Sequence, residues 1–277
     1  MYDRYTRRVH NMRANSTLNI LAAGGTAFGC AIQSYRSTEI PRAFAAAGFD
    51  YVFIDMEHGG FDFETVQDMI DAASRAGITP IVRVGELLYS LVSRILDIGA
   101  QGIVLPRVED PALLAEALAW MKYPPDGKRG FGILPPYIDY EPLPMREVIA
   151  HLNRNTLSIV QFETVPALER ADELLSIDGL NIAMVGPADL SIALGVPGEL
   201  DHPRMIAAID RLIEQADRYR VVPGIQTRTV EQAKFWAARG MRFVGAGGEH
   251  GMLLAAARSA VSTLRQAQVE TAATPAT

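Results

Sequence analysis

The chain has 277 residues, of which 49% are hydrophobic and 21% charged, and its formal net charge is −6 at pH 7. This composition is typical of a globular protein that buries a large core. The acidic balance and the lack of a dense Lys/Arg block argue against nucleic acid or an anionic membrane as a partner. Cys30 is the single cysteine, so the sequence excludes an internal disulfide and a multi-cysteine zinc site, which fits a reducing cytoplasm.

The amino-terminal end carries Arg4, Arg7, Arg8 and Arg13 but lacks the apolar central run of a secretory signal. No segment approaches the roughly 18 consecutive apolar residues of a membrane span. We therefore expect a cytoplasmic protein with no membrane partner. An organellar transit peptide is the alternative, because this end is rich in arginine and poor in acids.

Short apolar runs alternate with helical patterns along the chain, and most of the helical patterns stop at a glycine. A first helix at 16–23, with Ser16 as a candidate N-cap, is expected to cover one end of the core. The predicted strands are 26–33, 51–55, 80–84, 102–105, 157–162, 180–185, 222–225 and 242–246. The predicted helices between and after them are 37–47, 63–75, 88–97, 111–121, 166–175, 189–194, 203–220, 230–238 and 252–266.

Residues 122–145 interrupt this repeat, since they are rich in proline and glycine. We predict a long loop there, serving as a lid or an assembly contact. The domain prediction is an extension at 1–15, one folded unit at 16–267 and a flexible tail at 268–277.

Eight strand–helix units predict a single α/β domain, a (β/α)8 TIM barrel with an N-terminal capping helix. Strands that are apolar throughout indicate a parallel sheet covered by helices. An open dinucleotide-binding sheet would need G-x-G-x-x-G after the first strand, and no such motif is found there.

Polar residues follow the carboxyl ends of several predicted strands, which in a barrel converge on one face. The sequence therefore predicts one site assembled from distant segments. Its candidates are Gln33, Ser34, Asp55, Glu57, His58, Arg83, Arg107, Gln161, Glu163, Gly186, Pro187, Ala188 and Asp189.

Arg83 lies inside an apolar run, where a charge requires an anionic partner. That partner is either a substrate or a structural carboxylate, Asp55, Glu57 or Glu163. Glu163 and Asp189 end neighbouring strands, and two converging carboxylates indicate a hard divalent cation between them. The alternative is that each carboxylate caps the helix that follows it.

His58 is the candidate general base, with Asp55 and Glu57 available to orient it. A hydrogen-bonded structural histidine is the alternative. His250, in a similar Glu-His-Gly triplet after the last strand, is left out of the catalytic set. None of the three lysines is expected in the barrel interior, which disfavours imine catalysis.

Five motifs follow one another along the chain: Asp55-Met-Glu-His-Gly59, Pro80-Ile-Val-Arg83, Tyr123-Pro-Pro-Asp-Gly-Lys-Arg-Gly-Phe-Gly132, Val160-Gln-Phe-Glu-Thr164 and Val185-Gly-Pro-Ala-Asp-Leu-Ser191. The Gly-Pro-Ala-Asp-Leu-Ser run and the Tyr-Pro-Pro loop are the most specific. In this order the motifs closely resemble the HpcH/HpaI class II pyruvate aldolases, and the resemblance covers residues from about 16 to 265.

The resemblance implies a lyase that cleaves a 4-hydroxy-2-oxo acid to an aldehyde and pyruvate, or a related 2-oxo acid such as hydroxypyruvate. It implies a divalent metal, Mg²⁺, Mn²⁺ or Co²⁺, held by Glu163 and Asp189. Arg83 would then stabilise the enolate, and His58 with Asp55 beside it would act in proton transfer. Gln161 and the backbone of residues 186–189, including Gly186, Pro187 and Ala188, would bind the substrate.

The resemblance also implies a homo-oligomer, a hexamer or trimer, whose last helix packs on a neighbouring subunit. Two turns depart from the family pattern, Gly59-Gly60-Phe61 and Gly247-Gly248-Glu249, and they leave the aldehyde open. Two alternatives stand beside the aldolase. One is a citrate-lyase-type enzyme of the same superfamily acting on acyl-CoA, and the other is a catalytically silent barrel that binds a small acid.

Overall fold

The structure is a computed structural model, and it describes residues 12–133, 138 and 140–273, except for the side chains of 269–273. Most of the predicted N-terminal extension, residues 134–137 and 139 of the predicted loop and the last four residues of the predicted tail lie outside the described residues. The predicted domain boundaries stay predictions.

In the described part of the chain, eight parallel strands close into a barrel in chain order, with β1 paired to both β2 and β8. Each strand is buried along most of its length, as expected for a parallel sheet covered by helices. The strands are β1 Ala27–Ile32, β2 Tyr51–Asp55, β3 Thr79–Arg83, β4 Gly102–Leu105, β5 Leu157–Phe162, β6 Ile182–Val185, β7 Val222–Thr227 and β8 Phe243–Gly248.

Helices surround this barrel and connect its strands. They are α1 Ser16–Ala22, α2 Glu39–Ala47, α3 Phe63–Ala76, α4 Tyr89–Asp97, α5 Pro111–Met121, α6 Met145–Asn155, α7 Val165–Glu169, α8 Ala171–Leu175, α9 Pro187–Ala193, α10 Pro203–Arg218, α11 Val230–Ala238 and α12 Glu249–Ala273.

The barrel interior is filled at one end by large apolar side chains and opens at the other. The rings of Tyr51 and Phe243 stack with their centroids 4.1 Å apart. A Cβ on Gly29 would lie 2.2 Å from the Tyr51 ring, so only glycine leaves room for it. Leu18 and Leu21 of α1 pack against this cluster. The polar groups therefore lie at the opposite end of the barrel, beyond the carboxyl ends of the strands.

The strand register places the predicted site residues side by side. Asp55 pairs with Arg83 across β2 and β3, at the last position of each strand. Gln161 of β5 pairs with Met184 of β6, one residue before the end of that strand. Because neighbouring parallel strands end at one level, side chains far apart in the sequence meet at this end.

The predicted fold class needs correction. The structure is a closed eight-stranded parallel β-barrel with surrounding helices in one domain, consistent with a TIM-like barrel, but its last helix differs from the prediction. Helix α12 begins at Glu249 instead of residue 252, runs to Ala273 and contacts β1 and β8 of its own barrel. The fold that the described residues show is a single chain, and the predicted packing of this helix on a neighbouring subunit is not part of it.

Smaller corrections concern individual helices. Helix α6 was not predicted, because it follows a proline-rich segment; Pro144 is its N-cap, and its apolar residues pack on Tyr123. The predicted helix 166–175 is two short helices, α7 and α8. Asn15 caps α1 in place of Ser16, and its side chain accepts a hydrogen bond from the backbone N–H of Leu18.

A membrane span would need a long apolar helix, and none of the helices in the described residues has that length and character.

Candidate active site

A cavity of about 520 Å³ opens at the carboxyl ends of the strands. It is bounded by residues from most of the barrel, which is the arrangement expected of a barrel active site. The predicted site residues that line it are Gln33, His58, Arg83, Gln161, Gly186, Pro187, Ala188 and Asp189. Asp55 and Glu163 are buried beneath them.

Arg83 is held from below by two carboxylates. Its Nε lies 2.9 Å from Oδ1 of Asp55 and its Nη2 lies 2.6 Å from Oδ2, which is a bidentate pair. Its Nη1 lies 2.9 Å from Oε2 of Glu57 and 3.4 Å from Oε1 of Gln161. The structural ion pairs that the sequence offered as one alternative for Arg83 are therefore present. The guanidinium also borders the cavity.

Both partners of the ion pair between Arg83 and Asp55 are ionised. Burial raises the pKa of Asp55, but the hydrogen bonds and the charge of Arg83 outweigh it and hold the pKa below its ordinary value. Burial lowers the pKa of Arg83, and Asp55 and Glu57 more than reverse this effect. A permanent, fixed cation is thus presented at the cavity floor.

Asp55 also shapes the loop that carries His58. Its Oδ1 accepts hydrogen bonds from the backbone N–H groups of Glu57 at 3.0 Å and His58 at 3.3 Å, and its Oδ2 accepts one from Gln33 Nε2 at 2.8 Å. Gly59 follows, where a Cβ would lie 2.1 Å from the carbonyl oxygen of Asp55. Asp55 therefore fixes the loop backbone rather than the imidazole, contrary to the expected orienting contact.

The His58 side chain is exposed and borders the cavity. Among the residues that the structure describes, its ring nitrogens have no hydrogen-bond partner, so no contact there supports the alternative of a hydrogen-bonded structural histidine. The ring is free to meet water or a ligand.

The Glu163 carboxylate is buried, and both of its oxygens accept hydrogen bonds. Oε1 accepts from the backbone N–H of Arg107 at 3.0 Å, and Oε2 accepts from Gln161 Nε2. Arg107 has a φ of 53°, in the left-handed region that non-glycine residues rarely adopt. Arg107 thus contributes its backbone to the site, whereas its guanidinium is not among the groups that line the cavity.

Neither carboxylate caps a helix, so that alternative is wrong. Thr164 is the N-cap of α7 and accepts from Ala167 N–H, and Gly186 is the N-cap of α9. Asp189 lies in the first turn of α9 and borders the cavity. A Cβ on Gly186 would lie 2.8 Å from Oε2 of Glu163, so glycine is needed for this carboxylate to reach the cavity floor.

The donor set fits a hard divalent cation. Burial raises the pKa of Glu163, and the charges of Glu57 and Asp189 raise it further against the hydrogen bonds from Gln161 and Arg107, so the ionised carboxylate gains from a cation bound close to it. The described residues contain no group of three or more His, Cys, Asp or Glu side chains that could hold a metal ion. Two carboxylates alone would leave most of the coordination shell to water and substrate, which suits Mg²⁺ or Mn²⁺ better than zinc.

The sequence analysis missed Glu249, the first residue of α12, which binds the loop that follows β1. Its Oε1 accepts hydrogen bonds from three successive backbone N–H groups, those of Gln33 at 2.9 Å, Ser34 at 2.5 Å and Tyr35 at 3.1 Å. A signal for this residue exists in the sequence, because Glu249 directly follows the last strand, as the other site residues follow theirs.

Replacing Glu249 with Ala is expected to lower the free energy of unfolding by about 2–3 kcal/mol, because three backbone donors lose a charged acceptor. Urea denaturation followed by circular dichroism measures this change. Glu214→Ala, on the exposed face of α10, is the matched control and should change stability little. An equal effect of the two substitutions would contradict the anchoring role of Glu249.

Neither a lysine nor a cysteine nucleophile is present in this cavity. None of the three lysines lines it, and Cys30 is buried outside it. Burial, and then the charge of Glu249, raises the pKa of Cys30 to about 12. The site is therefore one of fixed charges and carboxylates.

Comparison with known proteins identifies the family. Residues 34–270 match the HpcH/HpaI aldolase/citrate lyase family model. The chain belongs to this family. The resemblance inferred from the sequence motifs is thereby confirmed, and all five motifs fall within the matched residues.

Three members illustrate the similarity. A 5-keto-4-deoxy-D-glucarate aldolase of an Enterobacter species is 29% identical over 257 residues, covering 89% of this chain and 95% of its own. A hydroxypyruvate/pyruvate aldolase of Paraburkholderia phytofirmans is 31% identical over 238 residues, covering 84% of this chain and 91% of its own. The crystal structure of an HpcH/HpaI aldolase from Desulfitobacterium hafniense superposes with a TM-score of 0.85 at 30% identity, over 90% of this chain and 96% of that one.

Proposed function

We propose that this member of the HpcH/HpaI family is a divalent-metal-dependent aldolase. It cleaves a 4-hydroxy-2-oxo acid to an aldehyde and pyruvate, or a related 2-oxo acid such as hydroxypyruvate. The names of the similar proteins support an aldolase of this superfamily. One observation carries the proposal: a buried arginine, fixed by Asp55 and Glu57, shares one cavity with Asp189 and the underlying Glu163.

The proposed reaction breaks the bond between C3 and C4 of the substrate. The C4 hydroxyl loses its proton, the aldehyde carbonyl forms, and the electron pair of the broken bond becomes the enolate of the 2-oxo acid. Fixed positive charge lowers the barrier where the enolate oxygen develops its charge. Arg83 supplies such a charge without reorganisation, because the bidentate contact with Asp55 already fixes its guanidinium.

Glu163 and Asp189 are the residues that would hold the metal, with Gln161 fixing one Glu163 oxygen and Arg107 N–H the other. When bound, the metal supplies Lewis-acid stabilisation of the developing negative charge. Ala188 and Asp189, in the first turn of α9, line the same cavity, and their backbone N–H groups suit the substrate carboxylate.

His58 is the proposed proton carrier. Its ring borders the cavity and lacks a competing partner among the described residues, so it can accept the C4 hydroxyl proton directly or through water. In the reverse direction the same ring would return the proton. Asp55 is then a positioning residue, which sets the loop backbone and holds Arg83.

Retro-aldol cleavage tests this function. The enzyme, stripped with EDTA and then given Mn²⁺ or Mg²⁺, is incubated with 4-hydroxy-2-oxo acids, and pyruvate release is followed with lactate dehydrogenase. Release is expected only with metal. Turnover of equal rate in EDTA would contradict the metal-dependent assignment, and cleavage of an acyl-CoA substrate alone would favour the citrate-lyase-type alternative.

A further inference from the structure

Two Glu-His-Gly triplets of the chain flank the same strand of the barrel. Glu57-His58-Gly59 follows β2 and Glu249-His250-Gly251 follows β8, and β1 pairs with both of these strands. The catalytic set predicted from the sequence includes only His58, yet His58 and His250 both line the cavity. Only the first of these histidines has a role in the proposed reaction.

The two triplets use their glutamates differently. In the first triplet, Oε2 of Glu57 forms an ion pair with Nη1 of Arg83 at 2.9 Å. In the second triplet, Oε2 of Glu249 lies 3.8 Å from Nδ1 of His250. Of the two histidines, His250 is therefore the one whose ring has a carboxylate beside it in the part of the chain that the structure describes.

The Glu249 carboxylate is fixed in place, and one of its oxygens remains for His250. The side chain is 1% exposed, and its Oε1 accepts hydrogen bonds from three backbone N–H groups of the loop after β1. Oε2 is buried and has no hydrogen-bond partner among the described residues. Because a buried carboxylate oxygen without a partner is unfavourable, a hydrogen bond from Nδ1–H of His250 would stabilise it. A small movement of the ring shortens the 3.8 Å contact to the about 2.8 Å of such a bond.

The His250 imidazole is open to the cavity and to water. Its side chain is 55% exposed. Its Cε1, the carbon between the two ring nitrogens, lies 3.8 Å from the position that a Cβ on Gly248 would take, and Gly248 itself lines the cavity. When Nδ1 is directed at Glu249, Nε2 is left to meet water or a ligand. A ring in this position can exchange its proton with water between turnovers.

The strand order places His250 across the barrel mouth from the groups proposed to bind the oxygens of the 2-oxo acid. In the closed barrel β8 lies opposite β4, and β3 and β5 flank β4. Arg83 is the last residue of β3, and Glu163 directly follows β5. A 2-oxo acid whose oxygens are held on this side directs its C3 carbon away from it, toward β8.

We propose that Glu249 and His250 form a carboxylate–imidazole dyad that protonates C3 of the enolate after the aldehyde has left. Nε2–H of the His250 imidazolium gives its proton to C3. The electron pair of the C2–C3 double bond forms the new C–H bond, and a lone pair of the enolate oxygen restores the C2 carbonyl.

The neutral imidazole of His250 then takes a proton from water. In the reverse direction, the neutral Nε2 removes a proton from the pyruvate methyl group. His250 is thus a catalytic residue and Glu249 a positioning residue, while His58 serves the C4 hydroxyl. The inference rests on the proposed function, because it needs an enolate in this cavity.

Exchange of the pyruvate methyl protons in D₂O measures the transfer at C3 alone. With Mg²⁺ present, His250→Asn should exchange these protons at least about 100-fold more slowly than wild type. His202→Asn is the matched control, because His202 is the N-cap of α10 outside the cavity lining and asparagine is also a good N-cap. This control should exchange at the wild-type rate.

Cleavage of a 4-hydroxy-2-oxo acid in the presence of ferricyanide measures the earlier step. Two ferricyanide ions take two electrons from the enolate, which with hydroxide gives hydroxypyruvate, so aldehyde release no longer needs a proton at C3. Aldehyde is quantified by chromatography after hydrazine derivatisation. Release by His250→Asn should be slow without ferricyanide and return to within about threefold of wild type with it. His58→Asn should stay slow in both, because its defect precedes the enolate.

The imidazole nitrogens test the dyad without turnover. In long-range ¹H–¹⁵N correlation spectra of wild type, the neutral His250 ring should carry its proton on Nδ1. In Glu249→Gln the amide oxygen can still accept from the loop after β1, which places the amide N–H₂ beside His250. The proton of the ring should then move to Nε2, while circular dichroism confirms the fold.

Three results would overturn the dyad in an active aldolase. They are unchanged methyl exchange in His250→Asn, aldehyde release by this variant that ferricyanide fails to restore, and an Nε2–H tautomer in both wild type and Glu249→Gln. A wild type that neither releases aldehyde nor exchanges methyl protons with Mg²⁺ contradicts the proposed function itself. The two failures are therefore distinguished by the behaviour of wild type.

Discussion

Replacing Glu163 with Gln is expected to abolish metal uptake and to lower kcat/KM for pyruvate release by roughly 100- to 1000-fold or more. The amide keeps the size of the side chain but loses the charge and one acceptor oxygen. Metal content after equilibration with Mn²⁺ and gel filtration, and the lactate dehydrogenase assay, measure the two effects. Glu169→Gln, on the exposed side of α7, is the matched control and should leave both unchanged.

The Glu163→Gln variant also shows whether Glu163 is a metal ligand or a structural carboxylate. In the absence of metal the Glu163 charge is unfavourable, because burial and the nearby Glu57 and Asp189 raise its pKa. The metal-free Gln variant should therefore be at least as stable as metal-free wild type in thermal unfolding. A variant that is clearly less stable, yet still binds Mn²⁺ and turns over substrate, would show that Glu163 supports the fold and not the metal.

Replacing Asp55 with Ala is expected to have the largest effect on stability, lowering the free energy of unfolding by about 3–5 kcal/mol. The substitution leaves Arg83 buried without its bidentate partner, since only the ion pair with Glu57 and the 3.4 Å hydrogen bond to Gln161 remain. It also removes the acceptor for the backbone N–H groups of Glu57 and His58. Urea denaturation measures the change.

A surface pair of the same chemistry is the control. Asp71 makes a similar contact with Arg75 one turn away on α3, and both side chains are exposed. Asp71→Ala should cost no more than about 1 kcal/mol. If Asp55→Ala and Asp71→Ala lower the free energy of unfolding equally, Asp55 does not stabilise buried Arg83. The claim that Asp55 fixes this cation at the cavity floor would then be contradicted.

Much of the architecture is readable from the sequence because local patterns determine it. The strands are short apolar runs, and the glycines that end many of the helices stand at positions such as Gly48 and Gly77, where φ is positive. The register then follows from closure of the barrel, so the convergence of Arg83, Gln161 and Asp189 is predictable from the sequence alone. Helix α6 was missed because tertiary packing on Tyr123 stabilises it after a proline-rich segment.

The sequence offered Asp55 and Glu57 as possible partners of Arg83 but left the actual contacts of the site residues open. The position of Asp55 after an apolar strand suggests a partner for His58, yet the register across β2 and β3 brings it to Arg83. Arg107 acts through a backbone N–H, and no side-chain pattern reports a backbone direction. Glu249 contacts a loop more than 200 positions away in the sequence, at Gln33, Ser34 and Tyr35.

Exchange of the pyruvate methyl protons in D₂O tests the central claim most directly, because it reports enolate formation without any choice of aldehyde. Proton NMR follows the loss of the methyl signal with wild type in Mg²⁺, with wild type in EDTA and with Glu163→Gln in Mg²⁺. We predict exchange well above the buffer rate only for wild type in Mg²⁺. No exchange with metal present, or equal exchange in EDTA, would contradict an aldolase that forms a metal-stabilised enolate in this cavity.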